Sequence, residues 1–289
     1  MQENKLEMKD FVPNLLRRTE IPCMRLKLVD TTPGIAESKF GGRGYVPHDA
    51  AIPTNSEGVQ MRLLAQIDCR QITIPDFPTS GLLQFWAIND DLTGCDFDNN
   101  TEQKDFRICY YETVDPTVTE EEVAAKEGNN LPCEEDFFPI EGCFGLKFEQ
   151  TTDRMSMSDY RFWEKIEQLM REFYPEQAEQ LLADEDAKEA FEEELEEYLW
   201  DQDELDETPD WLPDAPGHKI GGYPCFTQED PRNIPKEDDH DSLLLQIDTD
   251  NIGEREIMWG DSGVANFFIS RENLKQRNFQ DVIYTWDCC

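Results

Sequence analysis

KFGGRGYVPHD (39–49) and MRLLAQID (61–68) decide the fold, because the chain repeats them as KIGGYPCFTQE (219–229) and DSLLLQID (241–248). Lys39 aligns with Lys219, Gly41-Gly42 with Gly221-Gly222, Gln66 with Gln246 and Asp68 with Asp248, every pair at an offset of 180 and without a gap. Further on, GLLQFWAI (81–88) aligns with GVANFFIS (263–270) at an offset of 182, and FRICYYE (106–112) resembles DVIYTWD (281–287). Four matched blocks in one order read as an internal duplication with a large insert between the copies.

The blocks have the period of strands. Met61, Leu63, Ala65 and Ile67 fall on one face, opposite Arg62, Leu64, Gln66 and Asp68; Leu243, Leu245 and Ile247 repeat the register. LLQFWAI and ANFFIS are short, apolar and aromatic, as buried strands are, and MRLKLVD (24–30) alternates too. The expected fold class is α+β: β-rich antiparallel sheets from the duplication, with a helical acidic insert between the copies. A first β-rich repeat is expected over 1–151, with a polar excursion at 113–135. The insert follows over 152–212 and a second β-rich repeat over 213–289, together one compact pseudo-symmetric unit.

Inside the insert the period lengthens. After Ser158, read as an N-cap, Phe162, Ile166, Leu169, Met170 and Phe173 form one helical stripe, which Pro175 ends or restarts. Residues 176–210 then carry 17 Asp and Glu against one Lys. Leu181, Leu182, Phe191, Leu195, Tyr198 and Leu199 maintain a stripe there, which predicts helix with a solvated acidic face.

The 289 residues hold 26 Lys and Arg against 64 Asp and Glu, a net charge of −38. Such a field repels phosphate backbones, and the longest basic run is Arg17-Arg18, so nucleic acid is not an expected partner. A basic protein or peptide is. No run approaches 18 apolar residues, so no membrane span is expected. The opening MQENKLEMKDF lacks the apolar core of a secretory signal. The nine cysteines, an odd count without C-x-x-C, read as reduced thiols, and the expected location is cytoplasmic. Cys288-Cys289 read as tail thiols rather than a lipidation signal.

Lys-x-Gly-Gly lacks the spacing of a phosphate loop; a turn of positive φ entering a strand accounts for both copies. His48, His218 and His240 fit no zinc spacing, and no metal or cofactor is expected. His218 aligns with Ser38 and so stands outside the repeated framework. GDSG (260–263) matches a fragment of the serine-protease pattern, yet PTSG (78–81) occupies the same place in the first copy, and a turn explains both. Asp248, Asp250 and Asn251 miss the calcium-loop pattern at Ile252 and read as a hairpin. Gln66 and Gln246 are polar residues recurring in apolar strands. They read either as brackets on backbone or as ligand contacts between the copies, and the bracket is favoured because most buried side-chain polar atoms bond to backbone. The binding candidates are Lys39, Gln66, Asp68, His218, Lys219, Gln246, Asp248 and Asp261; no catalytic residue is assigned.

HKIGGYPCFTQEDPR, LLLQIDTD and MWGDSGVANFFIS, with their first-copy counterparts, resemble the YwqG-like family, bacterial cytosolic proteins with a domain of unknown function. That resemblance implies a duplicated, β-rich α+β domain and no established activity. A more distant similarity is to the programmed-cell-death-2-like family, dedicated chaperones of a small-subunit ribosomal protein. The paired zinc cysteines of that family are absent, since 223–242 contains only Cys225 and 43–62 none. The functional expectation is a protein-interaction module, chaperone- or immunity-like, for a basic protein or peptide. The alternative is an enzyme acting on a small substrate in a cleft between the repeats.

Overall fold

A computed structural model describes residues 7–128, 138–205, 207–232 and 239–289. Cys133, part of the polar excursion (129–135) and Asp206 lie outside the described residues. The elements in chain order are α1 (Met8–Arg17), β1 (Ile21–Val29), β2 (Lys39–Gly41), β3 (Arg62–Asp68), β4 (Leu82–Ala87), β5 (Phe106–Tyr111), α2 (Glu120–Ala124), β6 (Cys143–Asp153), α3 (Phe162–Phe173), α4 (Pro175–Leu181), α5 (Glu185–Asp203), β7 (His218–Gly221), β8 (Ser242–Asp248), β9 (Asp250–Ile252), β10 (Arg255–Ile257), β11 (Val264–Ile269), α6 (Arg271–Gln276) and β12 (Ile283–Asp287). The chain divides into two compact units. One holds Met1–Ile21, Thr152–Ala215 and Gly222–Cys225; the other holds Pro22–Thr151, Pro216–Gly221 and Phe226–Cys289.

The larger unit is a ten-stranded sheet in the order β12-β11-β8-β7-β1-β6-β2-β3-β4-β5. Every pairing whose register is described in it is antiparallel. The sheet curls until its ends meet. The rings of Phe85 and Phe267 stand 4.7 Å apart, and those of Phe106 and Tyr284 5.1 Å. Leu64, Ala65, Phe85, Phe144, Leu244, Leu245, Ile247 and Phe267 belong to the main core.

The simple alternation read from β3 and β8 fails at one point in each. The pairing of β3 with β4 skips from Leu63 to Ala65, and that of β8 with β11 skips from Leu243 to Leu245. A bulge inserts one residue and moves everything beyond it to the other face. Ala65 and Ile67 therefore face the main core, whereas Met61 and Leu63 face a smaller cluster with Tyr45, Ile52, Trp86 and Val123. Leu243 likewise leaves Leu245 and Ile247 and packs with Phe268 and Ile283.

The segment that follows β4 bonds to one residue on each outer edge strand of the sheet. The Tyr284 N–H of β12 donates to the Asn100 carbonyl at 2.9 Å, and Cys95 Sγ donates to the Tyr284 carbonyl at 3.5 Å. On β5 the Ile108 N–H donates to Gln103 Oε1 at 2.8 Å. The Asp250–Ile257 stretch forms a two-stranded hairpin, with Gly253 at φ +66°.

The smaller unit is helical. Phe11, Leu15 and Leu16 of α1 pack with Phe162, Ile166, Leu169 and Met170 of α3 and with Phe191, Leu195 and Leu199 of α5. Helix α3 starts at Phe162, not after Ser158, because the Asp159 carboxylate accepts the Arg161 N–H and pairs with its guanidinium at 2.6 Å, which holds a turn there. Phe173, read as part of the buried stripe, is partly exposed, with the Arg18 guanidinium 3.5 Å over its ring. None of the described helices is long and apolar enough to cross a membrane.

Candidate functional site

Both Lys-x-Gly-Gly turns are built alike. Lys39 pairs in register with Gln66, and Lys219 with Gln246. Gly41 and Gly42 lie at φ +65° and +67°, and Gly221 and Gly222 at +68° and +75°. These glycines leave the short strands β2 and β7 rather than lead into β3 and β8. A Cβ on Gly41 would fall 2.4 Å from the Gly142 carbonyl oxygen and 2.6 Å from Ile140 Cγ2. Gly41→Ala is therefore expected to cost about 2–3 kcal/mol in denaturant melts, from backbone strain and contact together. Gly58→Ala, also at positive φ but with nothing within 4 Å of the added atom, should cost less. Equal losses would remove the contact from this account.

Both lysines are buried: Lys39 is 2% exposed and Lys219 0%. Lys39 Nζ donates to the carbonyls of Gly34 at 2.6 Å and Arg43 at 3.2 Å. Burial pushes its ammonium below the usual lysine range, opposed by nearby Cys143 and Glu120.

Gln66 is fully buried and uses both ends of its amide. Oε1 accepts the Tyr45 N–H at 2.7 Å, and Nε2 donates to the carbonyls of Ile35 at 2.9 Å and Glu37 at 2.8 Å. The ladder continues across the sheet: Gln84 Nε2 donates to Gln66 Oε1 at 2.7 Å and to the Tyr45 carbonyl at 2.8 Å, and Trp86 Nε1 donates to Gln84 Oε1 at 2.9 Å. In the second half Gln246 Nε2 donates to the Gly217 carbonyl at 2.7 Å. Asn266 stands opposite Gln246 as Gln84 stands opposite Gln66.

His218 makes the same kind of contact as Ser38, the residue with which it aligns. Ser38 Oγ accepts the Asp68 N–H at 2.8 Å, and His218 Nδ1 accepts the Asp248 N–H at 2.9 Å. Two unlike side chains thus perform one task at aligned positions. His218 Nε2 lies 3.3 Å from Asp250 Oδ2, within ion-pair reach but off the hydrogen-bond axis. The imidazole holds the Asp250 carboxyl below its usual range. Asp68 accepts from the Arg70 N–H and guanidinium, and Asp248 accepts the N–H groups of Gly217 and Thr249. Asp261 is exposed on its turn, beside Ser262 at φ +64°.

The eight candidates accordingly form two separate groups: Lys39 with Gln66 and Asp68, and His218 with Lys219, Gln246 and Asp248; Asp261 stands apart. None of them lines the cavity of about 260 Å³ beside the first Gly-Gly turn, whose described walls include Arg43, Ile52, Met61, Trp86 and Glu127. Sequence reasoning missed these residues. The available signal was Arg43 within GGRG, where the second copy carries Tyr223.

Asp239, His240 and Asp281 bring one ligand atom each to within 4.8 Å of one another. The two ring nitrogens of His240 stand 3.6 Å from Asp239 and 3.2 Å from Asp281, an imidazole between two carboxylates. No described cysteine is in a disulfide.

No curated protein matches the chain. Residues 38–288, which contain both Lys-x-Gly-Gly turns and both bulged strands, match a domain of unknown function (DUF1963), and the chain belongs to that family.

Proposed function

We propose that the protein is a binding module that captures a basic protein or peptide on the acidic face of α5. The observation that carries this reading is the composition of that face. Glu193, Glu196, Glu197, Trp200 and Glu204 follow helical spacing, and all are exposed, Trp200 by 59%. The single cation of α5, Lys188, is already held by Glu167 at 3.3 Å and Glu192 at 3.9 Å. An exposed indole among carboxylates suits Lys and Arg side chains, which it meets through their stems and by cation–π attraction. Capture by strand addition has less support, because the chain's own segment already bonds to both edge strands. The enzyme alternative needs reactive groups converging on a cavity, whereas Lys39, Gln66 and Gln246 direct polar atoms to backbone.

The duplication belongs to the same reading. The sheet order runs outward from β1 and β6 through β7-β8-β11-β12 on one side and β2-β3-β4-β5 on the other. The glycine pair, the Lys–Gln register and the bulge recur at aligned positions. These features support an ancestral repeat, and the quoted motifs support the finer YwqG-like placement. A chaperone- or immunity-like role is the form of binding that suits an acidic surface facing a basic chain.

Deletion of 176–210 is a poor test, since Phe191, Leu195 and Leu199 are core residues of the helical unit. The triple substitution Glu193→Lys, Glu196→Lys and Glu197→Lys leaves that core intact. Binding of a fluorescent Lys- and Arg-rich peptide should weaken by roughly tenfold or more, and added salt should release it from the parent, because exposed charges are screened within about 8 Å at physiological ionic strength. Undiminished binding by a folded triple variant would remove α5 from the mechanism.

A further inference from the structure

We infer that the cavity beside the first Gly-Gly turn is a binding site for a small monocarboxylate with an apolar body, independent of the α5 surface. Its apolar lining is contributed by Ile52, Met61, Leu63, Trp86, Val123 and Phe138. Trp86 is held by its Nε1 bond to the buried Gln84–Gln66 ladder, so this wall is rigid before any guest arrives. Gly44 lets the turn approach it; a Cβ there would lie 2.7 Å from the indole.

The second half shows how the equivalent space is filled. Phe268 takes the place of Trp86 in the bulged pairing, opposite Leu243 as Trp86 is opposite Leu63. The offset of 180 carries Ile52 to Arg232 and Ala50 to Asp230. The Arg232 guanidinium lies 3.9 Å over the Phe268 ring, clamped by Asp230 at 2.6 and 2.9 Å. There the chain covers its own aromatic wall with a buried side chain. In the first half Ile52 and Ala50 are too short to do so.

The mouth specifies the charge of the guest. Arg43 Nε and Nη2 donate to the two oxygens of Glu127 at 2.6 and 2.9 Å, and Nη1 donates to Glu120 at 3.0 Å. The cavity rim thus already displays a carboxylate in the two-pronged geometry that a guanidinium favours. Glu127 and Glu120 are 38% and 57% exposed in their side chains. Glu127 is reached by solvent on this fork, so a carboxylate arriving with an apolar body can compete with it for Arg43. The other lining cation, Arg62, lies 4.1 Å over the Phe138 ring and adds positive charge. An apolar cavity of about 150 Å³ accepts benzene, so about 260 Å³ suits one ring with a short acid chain.

The test uses the full chain with 3-phenylpropionate and its uncharged counterpart 3-phenylpropanol, followed by calorimetry. The acid should bind with a Kd below about 1 mM and the alcohol at least about tenfold more weakly. Arg43→Met should erase the difference between them. Glu127→Gln should tighten the acid several-fold and leave the alcohol unchanged. Ile52→Phe, which narrows the cavity, should weaken both. Absence of saturable acid binding to both the parent and Glu127→Gln would overturn the proposal, as would equal binding of acid and alcohol. Persistence of the difference in Arg43→Met would overturn it too.

Discussion

Gln66→Leu should bring the protein close to unfolding, with a loss of about 3–6 kcal/mol in urea or guanidinium melts. Leucine nearly matches the size of the side chain but offers no polar atom. The Tyr45 N–H would lose its acceptor, and the carbonyls of Ile35 and Glu37 would lose their donor. Each buried polar group left unmatched costs about 1–3 kcal/mol. The full sum is not reached, because Gln84 Nε2 retains the Tyr45 carbonyl and the 34–37 loop can loosen toward water. Against a usual stability of about 5–15 kcal/mol the remainder is large. Gln150→Leu, on the exposed end of β6, should stay within about 0.5 kcal/mol of the parent. If the two variants melt together, Gln66 does not bracket the loop and its amide is available to a ligand.

Stability should also fall steeply above pH 9. Burial pushes the thiols of Cys69 and Cys95 up to about 12, each helped by a neighbouring aspartate, and that of Cys109 up to about 11, from an ordinary 9.0. A thiol whose folded value exceeds its unfolded value keeps its proton in the folded state while the unfolded chain releases one. Its contribution is complete below pH 9 and is lost between pH 9 and about 12. Two pH units of mismatch correspond to about 3 kcal/mol per fully buried thiol at pH 11. Tyr223, also pushed up to about 12 by burial, acts in the same direction. Lys39 acts in the opposite one: its lowered value means that stability rises between that value and 10.5. One proton does not offset three or more. Urea midpoints at pH 8 to 11 measure the slope, and Cys69→Ala should flatten it by about one proton whatever it does to the absolute stability. A constant midpoint across that range would contradict the burial of these thiols.

The sequence conveyed the strands and the turns because their signals are local. Alternation in 61–68 and the aromatic run at 82–87 depend on neighbours in the chain, and so does the glycine pair. The bulges at Leu64 and Leu244 were invisible, because alternation is blind to one extra residue that a partner strand must accommodate. Gln66 was legible as a bracket through its polarity inside an apolar run. The matching roles of Ser38 and His218 were not, since a hydroxyl and an imidazole share only the ability to accept one N–H. The cavity was the least legible feature. It depends on what Ile52 fails to fill, and an absence becomes visible only when Arg232 is seen covering the equivalent ring.

The central position of β1 sets an order of events during synthesis. Its neighbours in the sheet are β6, which ends at Asp153, and β7, which begins only at His218. Strands β2 to β6 can pair among themselves and with one side of β1 as soon as they leave the ribosome. The other side of β1 then waits for the whole helical segment to be made. At about 5–20 residues per second that interval lasts roughly 3–13 s. For that time the nascent chain presents a nine-residue strand, Ile21–Val29, with an open row of N–H and C=O groups. A translational pause between Asp153 and His218 should raise co-translational aggregation.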